Sequence, residues 1–460
     1  MASDRRSLFR GLIAGGPAVT MAAAGGREAV ARGNGKATAR EDAGSHARLK
    51  PEAGVDQTQA LQRAIDEAAL RGNTLHLPPG RFLAAQLQFR PGVKIEGSGL
   101  RTVLALSSGS GPLFAGDGAH GCAISRMRLE GNPREAGDEG GLVEINNSRD
   151  VCLEDINLVG SAGHGMKLFR CSGRVLSCNV RDVRLSAIFS LDGHAMIIDG
   201  NRVSDCANNG ILVWRSKPGA DGTRVSGNII ERIAAVAGGS GQNGNGVNVF
   251  RANGVLVSGN RISDCAYTGV RANSASDVQI VANSVMRAGE VALYAEFAFE
   301  GAVIAQNIVD GAAAGISVTN FNEGGRLAVV QGNLIRNLVR REMEPVDKRG
   351  EGISVEADAT VTGNTIEGAP TAGIVIGWGA YVRNVTATGN VIRASRHGIL
   401  IAKHPNARSV LVAQNVISGA VGGAVRLMDN GQALGPDLTF GSSGEAPIHV
   451  TGNVTVDSGA

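Results

Sequence analysis

The chain has 460 residues, of which 66 are glycine and only 3% aromatic, with a formal net charge of +3. So small a charge excess excludes strong attraction to nucleic acid or to a membrane surface. Abundant glycine with few aromatics argues against a helical bundle and for many short strands joined by tight bends. Six cysteines are too few for a disulfide-built scaffold.

Arg5-Arg6-Ser7-Leu8-Phe9-Arg10 resembles a twin-arginine export signal. A weakly apolar stretch from Gly11 to Ala24 follows, and its Ala22-Ala23-Ala24 end offers a cleavage point. Residues 1–26 are read as a signal peptide and 27–48, small, charged and aperiodic, as a linker. An apolar run of about 14 residues is too short to span a bilayer, so stable membrane insertion is not expected. The expected destination is the periplasm or the exterior, with the twin-arginine translocation machinery as a transient partner.

Residues 49–460 read as one domain. Its strongest helix signal is Gln59 to Arg71, within a capping segment at 57–71, where Leu61, Ala64, Ile65 and Ala68 share one face. Asp56 and Gln59 have the spacing of a capping box, and Gly72 marks the stop. Such a helix suits the open end of a solenoid.

Between about 120 and 455, a Gly-Asn pair flanked by apolar residues recurs, followed by a Gly-apolar-x-apolar strand. The asparagines are Asn201, Asn228, Asn260, Asn283, Asn307, Asn333, Asn364, Asn390, Asn415 and Asn453, with Asn179 and Asp155 as earlier members. Self-similarity at this period indicates stacked supersecondary units. The Leu-x-x-Leu-x-Leu frame of leucine-rich repeats is absent, and the apolar residues alternate at period two, as half-buried strands require. Stacked coils place each Asn about 4.8 Å above the last, where amides form a ladder that satisfies turn backbone. Cys206 and Cys265 occupy matching contexts two coils apart, beyond disulfide reach, and are expected as free, inward-facing thiols.

The run Ala60-Leu61-Gln62-Arg63-Ala64-Ile65 through Leu77-Pro78-Pro79-Gly80 resembles the entry segment of the pectate-lyase-like superfamily. The twin-arginine signal joined to Gly-Asn repeats resembles a bacterial family of twin-arginine-translocated repeat proteins with no established activity. These resemblances imply an all-β, single-stranded right-handed parallel β-helix with an N-terminal capping helix, and export. They imply no particular reaction and no cofactor.

A site is sought on the second strand of each coil, read as Gly210-Ile211-Leu212-Val213-Trp214 and its counterparts, with second and fourth positions inward and third and fifth outward. Insertions flank this strand: Gly238-to-Asn245 and Arg340-to-Gly350 before it, Lys217-to-Gly222 and Asn320-to-Gly325 after it. Loops on both edges make a groove. Trp214, Phe250 and Tyr294 are read in the fifth-position column, beside Arg215, Arg251, Arg271, Asn248 and Asn273. Aromatic faces stack on sugars and arginines pair with carboxylates, so this lining suits an acidic polysaccharide; the same residues also read as loop-covered aromatics and solvated arginines.

Glu356 and Glu296, two rungs apart, are the candidate catalytic carboxylates, with Arg271 an alternative base. Each also reads as an ordinary surface or ladder residue. Gly163-His164-Gly165 resembles the Gly-His-Gly of polygalacturonases, but the paired Asp and Arg-x-Lys that accompany it there are missing. His397, His404 and His449 lack metal-ligand spacing and no Asp cluster suggests Ca²⁺. Two readings stay open: a lyase or hydrolase of an acidic polysaccharide, with an open groove and a perturbed carboxylate, or a non-catalytic cell-envelope module that binds glycan or protein.

Overall fold

The computed structural model describes residues 49–456 apart from 108–110, 133–138, 240, 342–349 and 441–446. The expected signal peptide and linker, and most of the Arg340-to-Gly350 insertion, lie outside the described residues.

Three parallel sheets wind into a right-handed β-solenoid of about 13 turns. The first sheet runs from Thr74–His76 to Ile448–Thr451, the second from Gly80–Ala84 to Val454–Val456, and the third from Leu87–Gln88 to Val425–Asp429. Each strand pairs with its counterpart one turn away, so like positions stack. In the third sheet Ile211, Val247, Val270, Leu293, Ile316, Ile353, Ile374, Ile399 and Val425 lie in register. All are fully buried. Branched aliphatics suit such columns because stiff side chains pack well on a pleated surface, and burying each contributes about 1.5–3 kcal/mol.

Between the first and second sheets the corner is held by asparagine. From Asn201 to Asn415 these side chains are at most 1% exposed. Asn307 is typical: its Oδ1 accepts from Asn283 N and Nδ2, and its Nδ2 donates to Ile280 O and to Asn333 Oδ1. The residue before each Asn has positive φ, for example Gly332 at 63° and Gln306 at 58°. Glycine reaches that conformation without strain, which accounts for the Gly-Asn pair.

Two expectations are corrected by the structure. The ladder begins at Asn201, not at Asn179 or Asp155. Asn201 Oδ1 accepts from Cys178 N, so Cys178 holds the ladder position one turn earlier. Asn179 and Asp155 are each one residue out of register, because Asn179 pairs with Arg202 and with Asn157. The helix spans Thr58–Arg71 and buries Leu61, Ile65 and Ala68. No Asp56–Gln59 capping box forms; Asp56 Oδ1 accepts from Thr58 N, while Gln57 turns to the Lys50 carbonyl. Gly72 does close the helix, at φ 66°. Cys206 and Cys265 are buried, free, and separated by the rung of Ile233.

Candidate functional site

Parallel pairing decides which side chains share an outward column of the third sheet. The third-position column runs Leu212, Asn248, Arg271, Tyr294, Ser317, Ser354, Val375, Leu400, Arg426. The fifth-position column runs Trp214, Phe250, Asn273, Glu296. It continues to Thr319 and Glu356, one residue beyond the paired Val318 and Val355. Tyr294 therefore belongs to the third-position column beside Arg271, not with Trp214 and Phe250. Counting from Glu290 misplaces these residues by two, because Ala292, not Glu290, stands one residue before the Leu293 that pairs with Val270 and Ile316. Glu296 and Glu356 share one column two rungs apart, with Thr319 between them.

Outward here does not mean open. Asn248, Arg271, Asn273, Glu296 and Glu356 are 3%, 6%, 6%, 2% and 8% exposed, so the groove is covered rather than open. On one edge the Gly241 backbone lies over Arg271: its carbonyl accepts from Asn245 and Asn248, and a Cβ there would collide with the guanidinium. On the other edge the Phe321–Glu323 turn sits against Glu356, whose Oε2 accepts from Phe321 N at 2.6 Å.

Two carboxyl environments result. Glu296 is locked: Arg271 Nε donates to its Oε1 at 2.5 Å and Nη2 pairs with the same oxygen. Asn273 Nδ2 also donates to Oε1 at 2.9 Å, and the Tyr294 hydroxyl bonds Glu296 and Thr319. The Arg271 guanidinium stacks on the Tyr294 ring. Burial raises the Glu296 carboxyl above the ordinary range, and the Arg271 charge opposes it. Burial likewise pushes the Tyr294 phenol up. Among the described residues no cation pairs with Glu356; burial pushes its carboxyl up to about 7, with the Phe321 and Asn320 N–H groups pulling the other way. One fold thus separates a charge-paired acid from an acid poised near neutrality, the difference that divides roles between carboxyl groups at catalytic sites.

The N-terminal end of this face is aromatic. Phe189, Trp214 and Phe250 form successive edge-to-face contacts with centroids 5.4 and 5.7 Å apart, and Arg251 covers Phe250 at 4.6 Å. Arg251 and Arg215 donate to the Ser216 and Gly193 carbonyls, and Arg215 lies 3.9 Å from buried Asp221. The expected sugar-stacking ring faces are thus spent largely on one another. His164 is buried, its Nδ1 2.6 Å from the Ser186 hydroxyl, and burial holds its pKa down at about 3. It is a neutral corner residue outside the Glu296–Glu356 column. Thr319 was within reach of the column rule; Arg426 was not, because nothing local distinguishes it from a surface arginine.

Among the described residues no group of His, Cys, Asp and Glu has metal-binding geometry, and no helix is long and apolar enough to cross a membrane.

The mannuronan C-5 epimerase AlgE6 A-module of Azotobacter vinelandii is similar over 87% of this chain and 96% of its own, at 15% identity and TM-score 0.40. The N-terminal fragment of bacteriophage Phi29 gene product 12 is similar over 87% and 68%, at 14% identity and TM-score 0.51. The catalytic unit of the GH87 α-1,3-glucanase of Streptomyces thermodiastaticus is similar over 89% and 67%, at 14% identity and TM-score 0.48. At these identities the likeness is one of fold. No curated protein matches the sequence significantly. The model of the right handed beta helix region matches residues 91–230 and 171–337, together more than half of the chain. This chain belongs to the right-handed beta helix family.

Proposed function

We propose that this protein is exported by the twin-arginine route and acts on an acidic polysaccharide along the third sheet, as a lyase or hydrolase. Glu356 is the proton-transfer group in this reading. Arg271, held by Glu296 and stacked on Tyr294, presents positive charge to a uronate carboxylate or to the charge that develops on it. The supporting observation is the pairing of unlike carboxyl groups in one column: Glu296 compensated by Arg271, Glu356 without a paired cation among the described residues and near neutrality. A group that titrates near the working pH is available in both protonation states, which general acid–base catalysis requires.

One observation favours a second reading, a non-catalytic module that binds glycan or protein. Both carboxylates already have partners in the fold, and the Phe321 N–H must release Glu356 before substrate can reach it. The two readings separate on incubating the purified protein, and its Glu356→Gln variant, with a panel of uronate-containing polysaccharides while following unsaturated and reducing ends. Catalysis requires turnover on at least one substrate and a loss of at least about a hundredfold in the variant. Retained binding without turnover on any of them would overturn it in favour of the second reading.

A further inference from the structure

Beyond the Glu296–Glu356 column, the C-terminal end of the third sheet contains a cavity of about 450 Å³ lined by Arg340, Thr371, Arg396, His397, Arg426 and Gln432, with neighbouring backbone. Arg426 occupies the column of Arg271 and Tyr294, three rungs past Ser354. The cavity is thus about 14 Å along the solenoid axis from the Glu356 rung.

Three guanidinium groups meet here, and no carboxylate among the described residues lines the cavity with them. Elsewhere on the solenoid, outward arginines pair across rungs, as in Arg232–Asp205, Arg287–Asp264, Arg336–Asp310 and Arg383–Asp358. In the cavity, Arg340 instead donates to Thr371 Oγ1 at 3.3 Å and to the Pro370 carbonyl at 2.9 Å. Arg426 donates to the Gly422 and Gly435 carbonyls, and its buried Nε has no partner among the described residues. Arg396 is exposed and in no ion pair among the described residues. The nearby carboxylate of Asp437 is occupied by the N–H groups of Ala424, Val425 and Thr439. Positive charge confined in a half-enclosed cavity, unpaired by any carboxylate among the described residues, recruits an anion, and guanidinium forks match the two oxygens of a carboxylate.

We propose that this cavity is a carboxylate-binding subsite that takes a uronate unit of the polysaccharide about three rungs from Glu356. The assignment rests on the proposed function for the glycan nature of the ligand, but not for catalysis. Calorimetric titration of the full chain with trigalacturonate, with its methyl ester, and with sulfate alone tests it. We expect trigalacturonate to bind, its methyl ester to bind at least about tenfold more weakly, and Arg396→Ala and Arg340→Ala each to weaken trigalacturonate by about tenfold. Arg396→Ala removes no side-chain hydrogen bond or ion pair among the described residues, so its effect is not one of misfolding.

The inference is overturned by equal affinity for acid and ester, by no binding, or by indifference to both arginine variants. It is equally overturned if sulfate binds in an Arg396-dependent manner while trigalacturonate does not. Turnover without arginine-dependent binding would remove the subsite and leave the catalytic reading; arginine-dependent binding without turnover would do the reverse.

Discussion

Replacing Asn307 by alanine removes one member from the middle of the asparagine ladder. Four hydrogen bonds leave with the side chain, but two partners are not stranded. Asn333 Oδ1 still accepts from the backbone N–H of residue 307, and Asn283 Nδ2 still reaches the Val257 and Val281 carbonyls. The Asn283 N–H and the Ile280 carbonyl lose their side-chain partners in a corner where both asparagines are 1% exposed. At about 1–3 kcal/mol for each buried group left unpaired, the expected loss is about 2–6 kcal/mol. Asn307→Leu fills the vacated space, denies a water the chance to bridge, and should cost at least as much. Guanidinium unfolding followed by far-ultraviolet circular dichroism reads the change, with the denaturant slope as a check that the transition is unaltered. A loss below about 1 kcal/mol in both variants would refute the claim that the ladder satisfies otherwise buried backbone.

The reverse substitution, Cys178→Asn, should extend the ladder by one rung and stabilise by about 0.5–1.5 kcal/mol in the same assay, because the Cys178 thiol now makes only weak contacts to the Leu153 and Leu176 carbonyls. Glu356 gives a pH dependence whose sign is set by its raised pKa. The folded state holds the proton more tightly than the unfolded chain, so this group's contribution is fully present below about 4.5 and is lost as pH rises through about 7. Glu356→Gln should therefore match wild type near pH 4 and exceed it in stability by about 3 kcal/mol at pH 8, as measured by denaturation at the two pH values. Arg271→Met strands a buried carboxylate and should cost about 3–5 kcal/mol, most of it recovered in the Arg271→Met/Glu296→Leu double variant; a full mutant cycle by denaturation checks this. In native protein at pH 8 a thiol reagent should modify Cys152 before all others, since Cys122, Cys171, Cys178, Cys206 and Cys265 are buried and burial pushes each thiol up, Cys265 to about 12.

Much of the fold was legible because a solenoid repeats its local rules. Each Gly-Asn pair marks one positive-φ corner, and period-two apolar strands come after it with little else between them. What failed was register wherever the chain departs from the repeat. The position of Gly269 and Gly315 is taken by Ala292, two residues beyond Glu290, which puts Tyr294 one column over and Glu296 in line with Glu356. At Cys178 the ladder accepts a thiol, and the neighbouring Asn179 is a decoy. Alternation told inward from outward but not exposed from covered. Cover depends on where the Gly241 and Phe321 loops fold, and no periodicity specifies that. The arginine cavity lies beyond local pattern altogether: Arg340, Arg396 and Arg426 come from three separate stretches that meet only when the coils stack.

The proposed mechanism depends most directly on the protonation of Glu356. A carbon-13 titration of glutamate carboxyl groups, comparing wild type with Glu356→Gln, measures it. We expect one resonance with a midpoint near 7 that is missing from the variant. If instead the resonance lost in the variant titrates near 4.5, in the ordinary carboxylate range, Glu356 is not poised for proton transfer at neutral pH, and the catalytic reading of this groove is contradicted.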